Sequence, residues 1–197
     1  MKRFLALIGI ITILFSCDVA KQVTGAYQLT QCKYDYKSIS GLTLAGVNLQ
    51  NATSLSSLNV LNVAKLTSAF GSSSGTLPMD FTLNLNVKNS GTQTALLNGM
   101  KYILEIDEKE MTNGVLNQVL AISGGEQAVL PINMSFDLKK VLSGESLESI
   151  KNLAFNFAGI GSATSNVTVK IRPSFNIGGQ TVQSPVDIPV SFQLNKK

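Results

Sequence analysis

The side chains best suited to chemistry in this chain are four carboxylates within six residues. They are Glu105, Asp107, Glu108 and Glu110. Hard cations such as calcium bind several oxygen ligands, and Glu105 and Asp107 would share one face of a strand. The segment lacks the DxDxDG spacing of a calcium loop, and lysines are interleaved with it. The pattern therefore favours a solvated hairpin end over a metal site.

Histidine is absent from the chain. Without it no Ser-His-Asp or Cys-His arrangement can form, and the commonest general base near neutral pH is missing. Zinc sites that use histidine are excluded, and one free thiol cannot build a thiolate site. Only carboxylates, lysines, tyrosines or hydroxyls could carry catalysis, so we expect a protein that is not an enzyme and that holds no cofactor.

Tyr34 and Tyr36 are the candidate ligand-binding residues. Alternation along a strand would put both rings on one face of a sheet. There they could stack against a sugar or cover the core. Core packing is the favoured interpretation, and glycan binding is the alternative.

Residues 1–17, MKRFLALIGIITILFSC, read as a secretion signal. Two basic residues precede the apolar run from Phe4 to Phe15, whose 12 residues are too few to span a bilayer as a helix. The ending LFSC resembles the lipobox of bacterial lipoproteins, in which the cysteine becomes the first mature residue and carries acyl chains. The resemblance implies an acylated Cys17 and a lipid-anchored place in the bacterial cell envelope. A buried apolar helix or an ordinary cleaved signal are the alternatives.

Composition agrees with an extracytoplasmic domain that does not bind nucleic acid. Removal of residues 1–16 leaves 181 of the 197 residues, enough for one domain with its own core. The basic count then falls from 16 to 14 against 12 acidic residues, and so small a net positive charge does not indicate nucleic-acid binding. Charged residues are 14% of the chain, so Asn, Ser, Thr and Gln must build most of its surface.

Cys32 has no partner within the chain if Cys17 is acylated. It could be a free thiol or form an intermolecular bridge. The favoured interpretation is a small buried hydrophobe at the start of the first strand.

From Lys33 onward, short alternating segments separated by turn signals predict an all-β domain. The clearest strand is Asp80 to Lys88, in which apolar and polar residues alternate without a fault. The same pattern predicts strands within residues 37–49, 102–106, 115–122, 130–138, 167–177 and 186–194. Pro131 favours an edge or a bulge at the start of its strand, and Pro185 and Pro189, which cannot donate to a ladder, favour an edge or irregular pairing for the last strand. Gly178-Gly179 predicts the hairpin turn between the final two strands.

Two segments change to helical spacing. Apolar residues recur at that spacing from Leu58 to Phe70, before a Gly- and Ser-rich breaker. A second amphipathic helix is predicted to include residues 147–157, with Asp137 or Ser143 as its N-cap. The stretch from Asp18 to about Gln31 has no sustained periodicity and is predicted to be a tether.

Residues 78–138 resemble the late embryogenesis abundant group 2 (LEA2) family, also called the WHy domain. The similarity rests on the segments 87–91, 102–107, 113–125 and 130–138, which match that family's order of alternating strands and turns. Ser90 departs from the family's usual proline and Glu108 from its usual glycine. The resemblance implies an immunoglobulin- or fibronectin-III-like antiparallel β-sandwich with one or two short helices.

Together these observations predict a signal peptide (1–16), an acylated cysteine and tether (17–31), and a LEA2-like domain (32–195). The predicted function is that of a membrane-anchored envelope lipoprotein with a non-enzymatic binding or stress-protective domain. The alternatives are a surface module that binds polysaccharide or protein, and a carrier of a lipid or apolar ligand between the sheets. The expected partners are the membrane, through the lipid anchor, and an envelope protein, a glycan or a lipid. A hydrolase or metal enzyme that uses the acidic cluster is the least favoured alternative.

Overall fold

Two antiparallel sheets pack face to face in the computed structural model, which describes residues 19–72 and 75–194. In chain order the elements are α1 (which includes residues 19–30), β1 (Lys33–Leu44), β2 (Val47–Asn48), a 3-10 turn (Leu55–Ser57), α2 (Val60–Gly71), β3 (Pro78–Lys88), β4 (Ala95–Ile106), β5 (Lys109–Ile122), β6 (Gln127–Asp137), α3 (Leu138–Val141), α4 (Leu147–Phe157), β7 (Ser165–Ile177), β8 (Gln180–Gln183) and β9 (Ile188–Leu194).

The first sheet has the strand order β2-β1-β3-β6, and the second has the order β5-β4-β7, with β8 and β9 both paired to β7. The strand pairs are antiparallel. This architecture confirms the all-β sandwich with short helices that the alternating segments and the family resemblance predicted.

Strand β3 shows how the sequence pattern builds the core. Phe81, Leu83, Leu85 and Val87 are buried, and the polar residues between them are half-exposed. Their apolar face joins buried residues of the second sheet in one continuous core. Full burial of a leucine side chain contributes about 1.5–3 kcal/mol. A slip of one residue would turn this whole set toward water, so the burial fixes the register.

Several strands begin before their predicted bounds: β1 begins at Lys33 rather than at residue 37, and β4 at Ala95 rather than at residue 102. Strand β5 begins at Lys109 rather than near residue 115, because Asp107 and Glu108 form a two-residue turn directly after β4. Gly178-Gly179 joins β7 to β8, a short strand that the sequence did not predict. All four residues of β8 are exposed, so the strand lacks the apolar alternation by which strands are recognised.

Helices α2 and α4 lie where the helical spacing predicted them. The caps differ from the prediction. The side chain of Asp137 caps the separate short helix α3, and that of Ser146, not Ser143, accepts from Ser149 N to cap α4. Within residues 19–72 and 75–194, no helix combines the length and the apolar character needed to cross a bilayer.

The segment expected to be an irregular tether is helical over residues 19–30. Helix α1 packs on the domain through Ala26 and Leu29, which are buried in the same core as the sheets. Val19 and Val23 precede these two residues at helical spacing, a short pattern that the prediction of a tether missed. The predicted boundaries of signal, tether and domain stay predictions.

Asn89, at the end of β3, joins both sheets and α1. Its side chain is fully buried, and its amide nitrogen donates to Gln93 O (2.7 Å) and Ile122 O (2.8 Å). Its amide oxygen accepts from Gly91 N (3.1 Å) and from Gln28 Nε2 (3.0 Å). Both donors and both acceptor positions of the side-chain amide are therefore used.

We expect Asn89→Asp to lower the free energy of unfolding by at least about 3 kcal/mol, because a buried carboxylate would face two carbonyl oxygens that it cannot bond. Chemical denaturation followed by circular dichroism measures this loss. Asn117→Asp, at an exposed position of β5, is the matched control and should change stability by no more than about 0.5 kcal/mol. Equal effects of the two substitutions would contradict the role given to Asn89.

Candidate functional site

Three carboxylates of the acidic cluster, those of Glu105, Asp107 and Glu110, bond to different partners. Glu105 forms an ion pair with Lys170 of the neighbouring strand β7. Asp107 Oδ1 accepts from the backbone nitrogen of Asn166 (2.9 Å) and from its side-chain nitrogen (3.3 Å). These contacts hold the β4–β5 turn against the start of β7.

Glu110 is the second residue of β5, directly after the turn. Its carboxylate accepts from Asn113 Nδ2 (2.8 Å). Among residues 19–72 and 75–194, no group of three or more acidic, cysteine or histidine side chains is placed to hold a metal ion. The cluster therefore has the form of a hairpin end fastened by separate polar contacts.

Tyr34 and Tyr36 are half-buried and pack against the core. The Tyr34 hydroxyl donates to Leu29 O (3.1 Å), and burial raises the pKa of this phenol. The Tyr36 ring stacks on Phe192, with 4.1 Å between ring centroids and 16° between planes. These contacts favour core packing, because Tyr34 fastens α1 to β1 and Phe192 covers a face of the Tyr36 ring.

Cys32 is a free, buried cysteine just before β1. Its Sγ donates to Gln28 O (3.4 Å), and burial raises the pKa of the thiol. This environment agrees with the prediction of a small buried hydrophobe. Cys17, the predicted lipidation site, lies outside the described residues.

A groove of about 430 Å³, lined mainly by apolar side chains, lies between α2 and α4. We call it the α2–α4 groove. Leu66 and Phe70 are buried beneath it, and Val63, Leu147 and Phe155 also line it. The Phe70 and Phe155 rings meet edge to face, with centroids 5.6 Å apart, which joins the two helices.

One lysine secures the end of α2, and another lies at the rim of the groove. Lys139 Nζ donates to Ala69 O (2.6 Å) and to Ser72 O, so its charge satisfies carbonyls at the end of α2. Lys151 Nζ lies 5.9 Å from the Phe70 ring centroid, at the rim of the groove.

The apolar surface continues past the groove onto the first turn of α2. Val60 and Leu61 are 83% and 75% exposed, more than any other large hydrophobic side chain of the described chain. Val60, Val63 and Thr67 follow one another at spacings of three and four residues, so they form one stripe along the helix. The apolar stripe and the groove together extend over the length of α2, which is about 18 Å at 1.5 Å per residue.

The groove and α1 occupy opposite ends of the sandwich. Strand β3 starts beside the α2–α4 groove, where Leu138 N donates to Leu77 O, and ends at Asn89, which binds α1. Its 11 residues separate these ends by about 35 Å at 3.2–3.4 Å per residue. We call them the groove end and the α1 end.

The sequence analysis did not predict the groove. The apolar residues from Leu58 to Phe70 predicted a helix, and only Leu66 and Phe70 of α2 are buried. The available signal was an excess of apolar residues over what one face requires, since Val60, Leu61 and Val63 lie outside the buried stripe.

No protein-family model and no curated protein matches this chain. Its fold is similar to those of several solved structures. A protein from Archaeoglobus fulgidus is 14% identical, with 61% of this chain and 86% of that chain covered and a TM-score of 0.38. A protein from Arabidopsis thaliana is 7% identical, with 82% and 76% covered and a TM-score of 0.41. A late embryogenesis abundant protein is 12% identical, with 98% and 83% covered and a TM-score of 0.33. These scores are too low to assign the chain to a family.

Replacing Glu108 should stabilise the β4–β5 hairpin. Glu108 has φ +66°, in the left-handed region that costs a residue with a Cβ about 1–2 kcal/mol. Glu108→Gly should therefore raise the free energy of unfolding by about 1 kcal/mol, measured by chemical denaturation.

Lys109→Gly provides the comparison one residue further on, inside β5, where glycine should lower stability by about 0.5–1 kcal/mol through the backbone. Loss of the ion pair between Lys109 Nζ and Glu145 Oε1 (2.6 Å) acts in the same direction. A loss of stability in Glu108→Gly would show that its carboxylate contributes more than the strained backbone costs.

Proposed function

We propose that this chain is a lipid-anchored, non-enzymatic binding protein of the bacterial cell envelope. Its α2–α4 groove holds apolar segments of other polypeptides, and by covering them protects those polypeptides from aggregation. The observation that carries the proposal is the apolar groove together with the stripe that extends it along α2 from Val63 to the exposed Val60.

The anchor is supported by the lipobox-like ending of residues 1–17. One acyl chain gives only marginal binding at about 0.8 kcal/mol per buried methylene, so stable retention requires two or more chains on Cys17.

The absence of catalysis is supported by the lack of histidine and by the positions of the carboxylates. Glu105 and Glu110 lie opposite each other across β4 and β5, but Glu105 is paired with Lys170 and Glu110 with Asn113. Asp107 instead bonds Asn166 and holds the turn against β7. A catalytic pair would instead converge on one reacting atom.

A polypeptide segment fits the groove better than a compact ligand does. The stripe of Val60, Val63 and Thr67 continues beyond the cavity, so a small molecule in the cavity would leave Val60 in water. An extended or helical segment that follows α2 would cover Val60 as well, as in the docking of amphipathic segments into apolar grooves. The alternative of a ligand between the sheets is not favoured, because side chains such as Leu83, Leu104 and Val169 fill that space.

The anchor is tested by substitution of each cysteine in turn. Cys17→Ala should move the protein from the membrane fraction to the soluble fraction, because the acceptor of the acyl chains is lost. Cys32→Ala removes the other cysteine and should leave the protein in membranes. Retention of Cys17→Ala at the wild-type level would overturn the anchor.

The groove is tested with the full-length protein in phosphatidylcholine vesicles and heat-denatured citrate synthase as the client. Light scattering should show that the wild-type protein slows aggregation of the enzyme. Val63→Asp should remove most of this protection, since it places a charge in the groove.

Val182→Asp is the matched control, because Val182 is a similarly exposed valine on β8, outside the groove. It should protect as well as the wild-type protein. Equal loss in both variants, or protection that survives in Val63→Asp, would contradict the assignment of the groove.

A further inference from the structure

Helix α1 carries an apolar stripe that the core does not cover. Val19, Val23 and Tyr27 are 37%, 47% and 66% exposed. Their spacing of four residues places them along one side of the helix, next to the side that buries Ala26 and Leu29. The stripe therefore lies on the surface of the α1 end.

Helix α1 lies across that end and is attached to both sheets. Gln22 Oε1 accepts from the backbone nitrogen of Gly178, at the end of β7, with a distance of 3.1 Å. Gln28 binds Asn89, at the end of β3 in the other sheet. The helix is thus a rigid part of the domain, and its exposed side has a fixed direction relative to the strands.

The length of chain before α1 restricts what this stripe can meet. Cys17 precedes residue 19 by two residues, and an extended chain spans at most about 3.6 Å per residue. An acylated Cys17 would therefore lie within about 7 Å of the start of the stripe. A bilayer that holds its acyl chains must lie against the α1 end.

We propose that the Val19–Val23–Tyr27 stripe docks on the lipid bilayer and holds the domain in one orientation, with the groove end directed away from that membrane. This inference rests on the proposed acylation of Cys17. Valine and tyrosine side chains suit the boundary between headgroups and acyl chains, where the tyrosine ring is apolar and its hydroxyl remains hydrated. The groove would then face polypeptides on the far side, about 35 Å along the strands from the bilayer.

The chain has no tryptophan, so an introduced indole is the only one in the protein. Tyr27→Trp places it on the stripe, and Val60→Trp places it at an exposed position of the groove end. Each full-length, acylated variant is reconstituted into phosphatidylcholine vesicles whose acyl chains are brominated near the headgroup. An interfacial helix inserts its apolar side about 5–10 Å, to the depth of those bromines.

The indole at position 27 should lose emission in brominated vesicles and shift to shorter wavelength, and the indole at position 60 should do neither. If both variants stay with the vesicles but the indole at position 27 is not quenched, or the indole at position 60 is quenched more strongly, the docking is overturned and the anchor is not. Failure of both variants to stay with the vesicles would overturn the anchor and the docking together.

A substitution within the stripe separates docking from anchoring. Val23→Asp, added to Tyr27→Trp, should abolish the quenching because it places a charge at the lipid boundary, while the acyl chains still hold the protein on the vesicles. Thr24→Asp on the adjacent exposed residue is the control and should leave most of the quenching in place. Equal quenching in the Val23→Asp protein and its Val23 parent would show that the stripe does not contact lipid.

Discussion

The saturated amide of Asn89 is the constraint on which the α1 end depends. The residue lies where strand β3 leaves the first sheet, and its side chain bonds Ile122 at the end of β5 in the second sheet. The same amide accepts from Gln28 and so fixes α1. A buried polar group that loses its partners costs about 1–3 kcal/mol, so the loops and helix around Asn89 must keep the positions that satisfy it. The ends of both sheets and the N-terminal helix thereby form one rigid unit.

The two ends of the molecule have different properties. At the α1 end, hydrogen bonds and core packing connect the helix to both sheets. At the groove end, α2 buries Leu66 and Phe70 but leaves most of its apolar residues outside the core, while Lys139 secures its last turn. The interior of the sandwich between the two ends is filled by side chains, and its strands keep the ends apart. A surface for partners can therefore be exposed at one end without loss of the packing that stabilises the other.

Much of the fold was predictable because one face of each long strand is buried and the other is wet. Strand β3 shows this pattern without a fault, and the structure confirms it. Strand β8 was not predicted because neither of its faces is buried. Strand β5 begins earlier than predicted because two residues, Asp107 and Glu108, are enough for the turn after β4. Helix α1 was not predicted because its helical spacing of apolar residues lasts only from Val19 to Leu29. The groove was not predicted because apolar residues at helical spacing do not reveal whether a second helix covers them.

The sequence by itself determined the alternation that produces the β-sandwich, the lack of histidine-based chemistry, and the signal-like N-terminus that predicts lipidation. These depend on residue types and local spacing, which a single chain displays directly. Only the tertiary structure decided that the four carboxylates do not converge, that Tyr34 and Tyr36 pack against the core, and that α1 and the α2–α4 groove lie at opposite ends. Each of these depends on contacts between residues far apart in the chain, such as Asp107 with Asn166, Tyr36 with Phe192, and Gln28 with Asn89. Such contacts arise from the way strands pair and sheets pack, which local spacing does not specify.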